Sequence, residues 1–290
     1  MSDQPTRQPA NVHHLRVGDF VVTTIQDAYI QGAFALLDNI DEAEATRLHD
    51  ASRRPTPPRI TVNAYLLDTG DRKILIDTAY GALAGDFTPM LMDGLKTLGL
   101  APDDIDTVLI THVHPDHVGG LIDTDDRPMF PATTVLIPSG ELDYWGGDVP
   151  ADASAAQTRQ FAAAHRVLDA VRSQVQPLEG TEVLPGVTRV PLPGHTPHHS
   201  GYRIESNGDS LLIWGDIVHL PHIQLARPET GVIFDTDPDQ ASRTRRDILV
   251  EVAQSREMIA GHHIDFPGIG HVVEDGDGYR FLPHVWDPAV

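Results

Sequence analysis

The stretch Thr111-His112-Val113-His114-Pro115-Asp116-His117-Val118-Gly119-Gly120 decides how this chain is read. His112, His114, Asp116 and His117 place four metal-ligating side chains within six positions, directly after the apolar run Val108-Leu109-Ile110. Side chains alternate in direction along extended backbone, so a strand that ends in such a turn can aim neighbouring residues at two adjacent points. Imidazole nitrogens combined with carboxylates suit zinc and its first-row neighbours better than softer or harder ions.

Three later segments repeat the arrangement of a ligand at the end of a strand. His195 stands in Pro193-Gly194-His195-Thr196-Pro197, where the glycine and the flanking prolines fix a tight turn. Asp216 follows Leu211-Leu212-Ile213-Trp214-Gly215, and His262 and His263 follow Met258-Ile259-Ala260-Gly261. A dinuclear centre needs six or seven ligands, and the chain has that number of candidates. Either late histidine would serve on chemical grounds.

Composition narrows the setting. The chain has 290 residues, enough for one large core or two small ones, and no apolar run reaches the roughly 18 residues that cross a membrane. It has no cysteine, so any metal must be held by His, Asp or Glu. A formal charge of −21 opposes nucleic-acid and anionic-lipid surfaces as partners. The polar, proline-containing start lacks the hydrophobic segment of a secretory signal, so a cytoplasmic location is expected.

Residues 1–16 read as a flexible arm free to pack on a second copy, which leaves a homodimer open, and 17–290 read as one domain. Strands are expected over 20–25, 60–67, 73–76, 107–111, 134–137, 187–190, 201–205, 210–214, 258–260 and 279–282. Asp68-Thr69-Gly70-Asp71 and Asn207-Gly208 mark hairpin turns. Helical spacing of apolar residues predicts helices over 87–98 and 157–175, and Asp237-Pro238 starts another that runs to about 255. Hairpins followed by helices, occurring twice, imply an α+β fold of two packed sheets with helices outside.

The run HxHxDH at 112–117, PGHT at 193–196, GD at 215–216 and the late histidine together resemble the metallo-β-lactamase superfamily of hydrolases. Asn63-Ala64-Tyr65-Leu66-Leu67, Trp214-Gly215-Asp216-Ile217-Val218-His219 and the segment from His263 to His271 look like its methyl parathion hydrolase and lactonase branch. The likeness covers about residue 17 to the C-terminus and implies a four-layer αββα sandwich. By position it implies that His112, His114 and His195 hold one metal, and that Asp116, His117 and His263 hold the other. Asp216 would bridge the two, and spacing to Phe266-Pro267-Gly268 favours His263 over His262. Zinc β-lactamases of the superfamily use a cysteine ligand, its iron flavoproteins carry a carboxylate where this chain has His114, and its nucleic-acid-processing members need basic surfaces. The chain also departs from the pattern: His198 replaces a glycine of PGHTPGH, and Asp77-Thr78-Ala79 stands where DTG is usual.

The activity so implied is hydrolysis of neutral lactones, aryl esters or phosphotriesters by a hydroxide bridging two Zn2+ ions. Asp116 and Asp216 would orient that hydroxide and receive its proton. A glyoxalase II-like thioesterase and a non-enzymatic metal-binding protein are the alternatives. Asp77 is expected to hydrogen-bond a ligand histidine or a backbone amide, and His198 and His199 to lie outside the ligand set. His219 and His222 are candidates to face substrate, while His13, His14, His49, His165 and His284 are assigned no role in the site. Phe34, Phe87, Tyr144, Trp145 and Phe266 are the candidates for an apolar wall.

Overall fold

A computed structural model of the chain describes residues 11–85 and 87–290. Two seven-stranded sheets face each other. The first runs, in spatial order, Val12–Val17, Phe20–Gln31, Arg59–Asp68, Lys73–Ile76, Thr107–Leu109, Thr134–Pro138 and Val175–Leu178. The second runs Gly278–Pro283, Ile269–Asp275, Met258–Ala260, Asp209–Ile213, Ser200–Ser206, Val187–Pro191 and Glu182–Leu184.

The two-residue period of a strand sorts the apolar side chains into layers. Tyr65, Leu67, Ile74, Ile76 and Leu109 point inward against Tyr202, Ile204, Leu211, Ile213 and Ala260. Their neighbours Ala64, Leu66, Leu75 and Val108 point outward, where Phe161, Ala164 and Val167 of the helix Ala155–Ala170 cover them. On the other side Leu212 and Ile259 meet Ile248, Leu249 and Val252 of the helix Pro238–Ser255. Strands covered on both faces read as continuous apolar runs, as Ile74-Leu75-Ile76 and Leu211-Leu212-Ile213 do. Each such side chain contributes roughly 1.5–3 kcal/mol by leaving water. The result is the expected α+β sandwich with the layers αββα.

Several expected elements have different limits. Val12–Val17, placed in the flexible arm by sequence, is an edge strand in antiparallel register with Phe20–Gln31. The rest of that arm, residues 1–10, lies outside the described residues. The helix expected over 87–98 is Leu91–Thr97, because Asp27 Oδ1 accepts the amide protons of Met90 and Leu91 and sets its start there. The helix expected over 157–175 begins at Ala155, behind a capping box made by Ser154 and Gln157. It stops at Ala170, and Val175 opens the parallel strand Val175–Leu178.

The central strands of both sheets exit at one edge, and hydrogen bonds join the sheets there. Tyr202 Oη donates to the Ile110 carbonyl at 2.7 Å and the Ser200 amide to that of Thr111 at 3.1 Å. The Asn63 amide donates to the His262 carbonyl at 2.9 Å, and its side chain to that of Ile264 at 2.8 Å. Residues 33–58, including the helix Glu42–Ala51, pack on the short helix Pro221–Gln224 and close one side of this edge.

Candidate metal centre

The strands Thr107–Leu109, Val187–Pro191, Asp209–Ile213 and Met258–Ala260 each end beside a candidate ligand. His112, His114 and His195 converge: His114 Nδ1 lies 3.1 Å from His112 Nε2 and 3.0 Å from His195 Nε2. Asp116, His117, Asp216 and His263 form a second group, with His263 Nε2 3.0 Å from Asp216 Oδ2 and His117 Nε2 3.2 Å from Asp216 Oδ1. Asp216 Oδ2 is also 3.7 Å from His112 Nε2 and 3.4 Å from His195 Nε2, so this carboxylate stands between the groups.

The outer ring nitrogens fix which inner ones carry lone pairs. His117 Nδ1 donates to Asp77 Oδ2 at 2.6 Å, His195 Nδ1 to Asp235 Oδ1 at 2.8 Å, and His263 Nδ1 to the Thr61 carbonyl at 2.7 Å. Thr111 Oγ1 donates to Asp77 at 2.6 Å and so accepts from His112 Nδ1 at 3.0 Å. Nε2 is therefore the free acceptor of these four rings. His114 is turned over: Nδ1 faces the group, and Nε2 lies 3.3 Å from the Gln160 side chain.

The residues fit divalent metal ions on three observations. Two lone-pair nitrogens, His112 Nε2 and His195 Nε2, each lie within 3.1 Å of His114 Nδ1. His117 Nε2 and Asp216 Oδ1 are buried without a hydrogen-bond partner. Burial pushes His112 and His114 well below the usual imidazole range, so both rings stay neutral and each keeps one nitrogen with a lone pair able to ligate. Burial opposes the charged form of Asp216 too, but the imidazoles of His117, His263 and His112 outweigh it and hold its carboxyl well below the usual range. A divalent cation would supply the positive charge that these carboxylates attract.

The other candidates fall on different sides of the centre. His199 is buried with both ring nitrogens engaged: Nδ1 donates to the Leu192 carbonyl at 2.8 Å, and Nε2 accepts the Asp216 amide at 2.9 Å. Burial, then the nearby His195, brings its pKa down to about 3, so it remains a neutral support for Asp216. His198 is exposed and joins neither group. His262 Nε2 points at Asp77 Oδ2, 2.9 Å away, forming a third cluster with His117, whereas His263 points at Asp216. His219 faces the cavity with Nε2 3.1 Å from Asp216 Oδ2. His222 does not: its Nε2 meets His49 Nδ1 at 3.0 Å beneath the 33–58 segment.

A cavity of about 280 Å³ opens over Asp116, Asp216 and His263, and its apolar wall is Ile30, Ile60, Tyr80 and Phe234. None of the five aromatics expected from sequence lines it. Their rings pack elsewhere: Trp145 is buried edge-on to His114, Tyr144 lies against Trp145, and Phe34 lies against His49. Phe87 supports Tyr80, and Phe266 contacts His13. Among the described residues, Arg159 is the sole lysine or arginine lining the cavity.

Two buried acids that hold the centre were not expected. Glu141 accepts from the Val113 amide at 3.0 Å, Thr196 Oγ1 at 2.5 Å, Trp145 Nε1 at 2.9 Å and the His198 amide at 3.1 Å. It thereby joins the HxHxDH turn to the His195 turn. Asp235 orients His195, and its Oδ2 accepts the Val232 amide at 3.1 Å. Glu141 in Ser139-Gly140-Glu141 carries no local signal, whereas the run Asp235-Thr236-Asp237 offers a weak one, a carboxylate just before a helix cap.

A family model described as the metallo-beta-lactamase superfamily matches residues 57–263, and the chain belongs to that superfamily. Among curated relatives, an N-acyl homoserine lactonase from a Bacillus species is 28% identical over 246 residues, covering 77% of this chain and 86% of the relative. Another, from Bacillus cereus, is 28% identical over 174 residues, 53% of this chain, and the match spans only 62% of that relative's length. Among solved structures, the hydrolase AbOPH of the beta lactamase superfamily superposes with a TM-score of 0.91 at 27% identity, covering 97% of this chain and 100% of that one. AidC, a dizinc quorum-quenching lactonase, shares the fold with a TM-score of 0.89 at 23% identity over 96% and 99% of the two chains.

Proposed function

We propose that the chain is a dinuclear zinc hydrolase of neutral lactones and aryl esters, with phosphotriesters such as methyl parathion as weaker substrates. The observation that carries this reading is the single Asp216 carboxylate shared by two ligand groups beneath a cavity with an apolar wall. His112, His114 and His195 would hold one ion and Asp116, His117 and His263 the other. Bound there, the pair supplies Lewis acidity for a substrate oxygen and lowers the pKa of water toward neutrality.

The chain's own residues do the rest. Ile30, Ile60 and Phe234 give an acyl or aryl group an apolar seat and exclude water around it. Asp216, ionised across the neutral range, orients the attacking water and, with Asp116, accepts its proton. His219, brought down to about 4 by burial, is neutral at the cavity floor and adds no charge that would repel a cation. The relatives' names support lactones first. A glutathione thioester carries more than one carboxylate and would meet a single cation among the described lining residues, Arg159, which puts the thioesterase reading second.

The test is a panel of lactones, aryl esters, methyl parathion and a glutathione thioester on zinc-reconstituted protein, with elemental analysis alongside. About two metal ions per chain, with lactone turnover that chelator abolishes and zinc restores, are expected. A stoichiometry of one or below after reconstitution, or turnover that survives complete metal removal, overturns the mechanism. Turnover confined to the thioester overturns the substrate class.

A further inference from the structure

Among the described residues, Tyr80 is the one hydroxyl-bearing side chain on the cavity wall, and the HxHxDH turn is shaped to hold it there. The Thr78 amide donates to the His117 carbonyl at 2.8 Å, and the Gly120 amide to the Ala79 carbonyl at 3.1 Å. A Cβ on Gly119 would lie 2.0 Å from the Tyr80 carbonyl oxygen, and one on Gly120 would lie 2.0 Å from that of Thr78. Only glycines allow the two loops to approach this closely, so Tyr80 is locked to the turn that carries Asp116 and His117. Its ring is propped edge-on against Phe87, with centroids 4.9 Å apart at 82°.

Resting on the hydrolase reading above, we infer that the Tyr80 hydroxyl is a catalytic hydrogen-bond donor to the substrate oxygen that gathers negative charge as the reacting carbon becomes tetrahedral. Asp116 and Asp216 border the same cavity, so a developing oxyanion there has two carboxylate neighbours and needs a donor. A phenol donates without losing its proton, and no proton transfer is required of it. Burial, with Asp116 and Asp216 nearby, raises the pKa of this phenol further, which keeps the proton in place at working pH. No other cavity-lining residue among those described carries a hydroxyl.

The experiment compares wild type, Tyr80→Phe and Tyr80→Leu as zinc-reconstituted proteins, by turnover, metal content and calorimetric binding of hexanoate. For Tyr80→Phe, kcat on the lactone should fall roughly ten- to a hundred-fold with KM within about threefold. Hexanoate, whose carboxylate offers oxygens to the same donor, should bind roughly tenfold more weakly. Metal content should be unchanged. Wild-type turnover and hexanoate affinity in Tyr80→Phe overturn the inference, as does a loss confined to Tyr80→Leu, which would make Tyr80 a wall. Metal loss in Tyr80→Phe also overturns it. A wild-type protein inactive on the whole panel overturns the hydrolase reading instead, and hexanoate binding then still decides whether Tyr80 donates into the cavity.

Discussion

Replacing Glu141 by glutamine tests whether the centre is held from behind. The carboxylate is fully buried and accepts four hydrogen bonds, two at each oxygen: Val113 amide and Trp145 Nε1 at Oε2, Thr196 Oγ1 and His198 amide at Oε1. An amide keeps one oxygen and turns an NH2 toward the other pair, so two buried donors lose their acceptor. Each costs about 1–3 kcal/mol. Burial also raises the Glu141 pKa, and removing the charge recovers part of that cost, so the lower end applies. A net loss of about 2–4 kcal/mol is expected. Because Val113 lies between His112 and His114, and Thr196 follows His195, zinc affinity at that group should also fall, by about tenfold or more. Urea denaturation of the metal-free protein gives the first quantity, and competitive zinc titration gives the second. If both the urea midpoint and the zinc affinity match wild type, Glu141 is not a tie between the two turns.

Four further variants test the site and one buried carboxyl away from it. Asp235→Ala removes the acceptor of His195 Nδ1 and should weaken metal binding roughly 10–100-fold with His195 itself intact, measured by the same titration. Asp216→Ala should lose both metal and turnover, whereas His198→Ala should keep both; equal metal loss in the two would mean that the ligands around His195 are wrongly assigned. Asp27→Asn probes a carboxyl whose pKa burial raises, with Oδ2 left unpartnered. The stability this group contributes is fully present below its unfolded value near 3.8 and is lost as pH rises through the higher folded value. The asparagine variant lacks that loss, so its stability relative to wild type should rise from pH 4 toward 7; a relative decline would refute the assignment.

What the sequence revealed and what it hid divide along physical lines. HxHxDH, PGHT and GD were legible because each places one or more residues of metal-ligating type next to a strand end, and strand ends show as apolar runs that stop. The covered strands were legible for the same reason, since Ile74-Leu75-Ile76 is buried on both faces. Val12–Val17 reads Val-His-His-Leu-Arg-Val, an edge strand with polar residues facing out, and an edge needs no continuous apolar signal. Glu141 is more than twenty residues from either turn it joins, and only the folded chain brings its four donors together.

The reason the expected aromatics do not form the cavity wall also explains why nothing in the sequence points to Tyr80. Proximity of an aromatic to a ligand loop in sequence says nothing about which way the ring turns, and a large ring gains more from full burial than from lining a half-open cavity. Trp145 accordingly went inward, where its indole Nε1 finds Glu141 and its ring supports His114. Tyr80 stays at the cavity because its backbone is pinned to the HxHxDH turn on one side and Phe87 occupies the space behind its ring. Phe234 stays because it follows Gly231–Val232, a short strand paired with Leu37–Asp38, and precedes Asp235, whose carboxylate must reach His195. The constraint that orients His195 thus also places Phe234 on the cavity wall. Asp235→Ala should therefore disturb substrate binding as well as metal affinity, and an increase in KM for the more hydrophobic lactones, measured at saturating zinc, would show the two effects to be one.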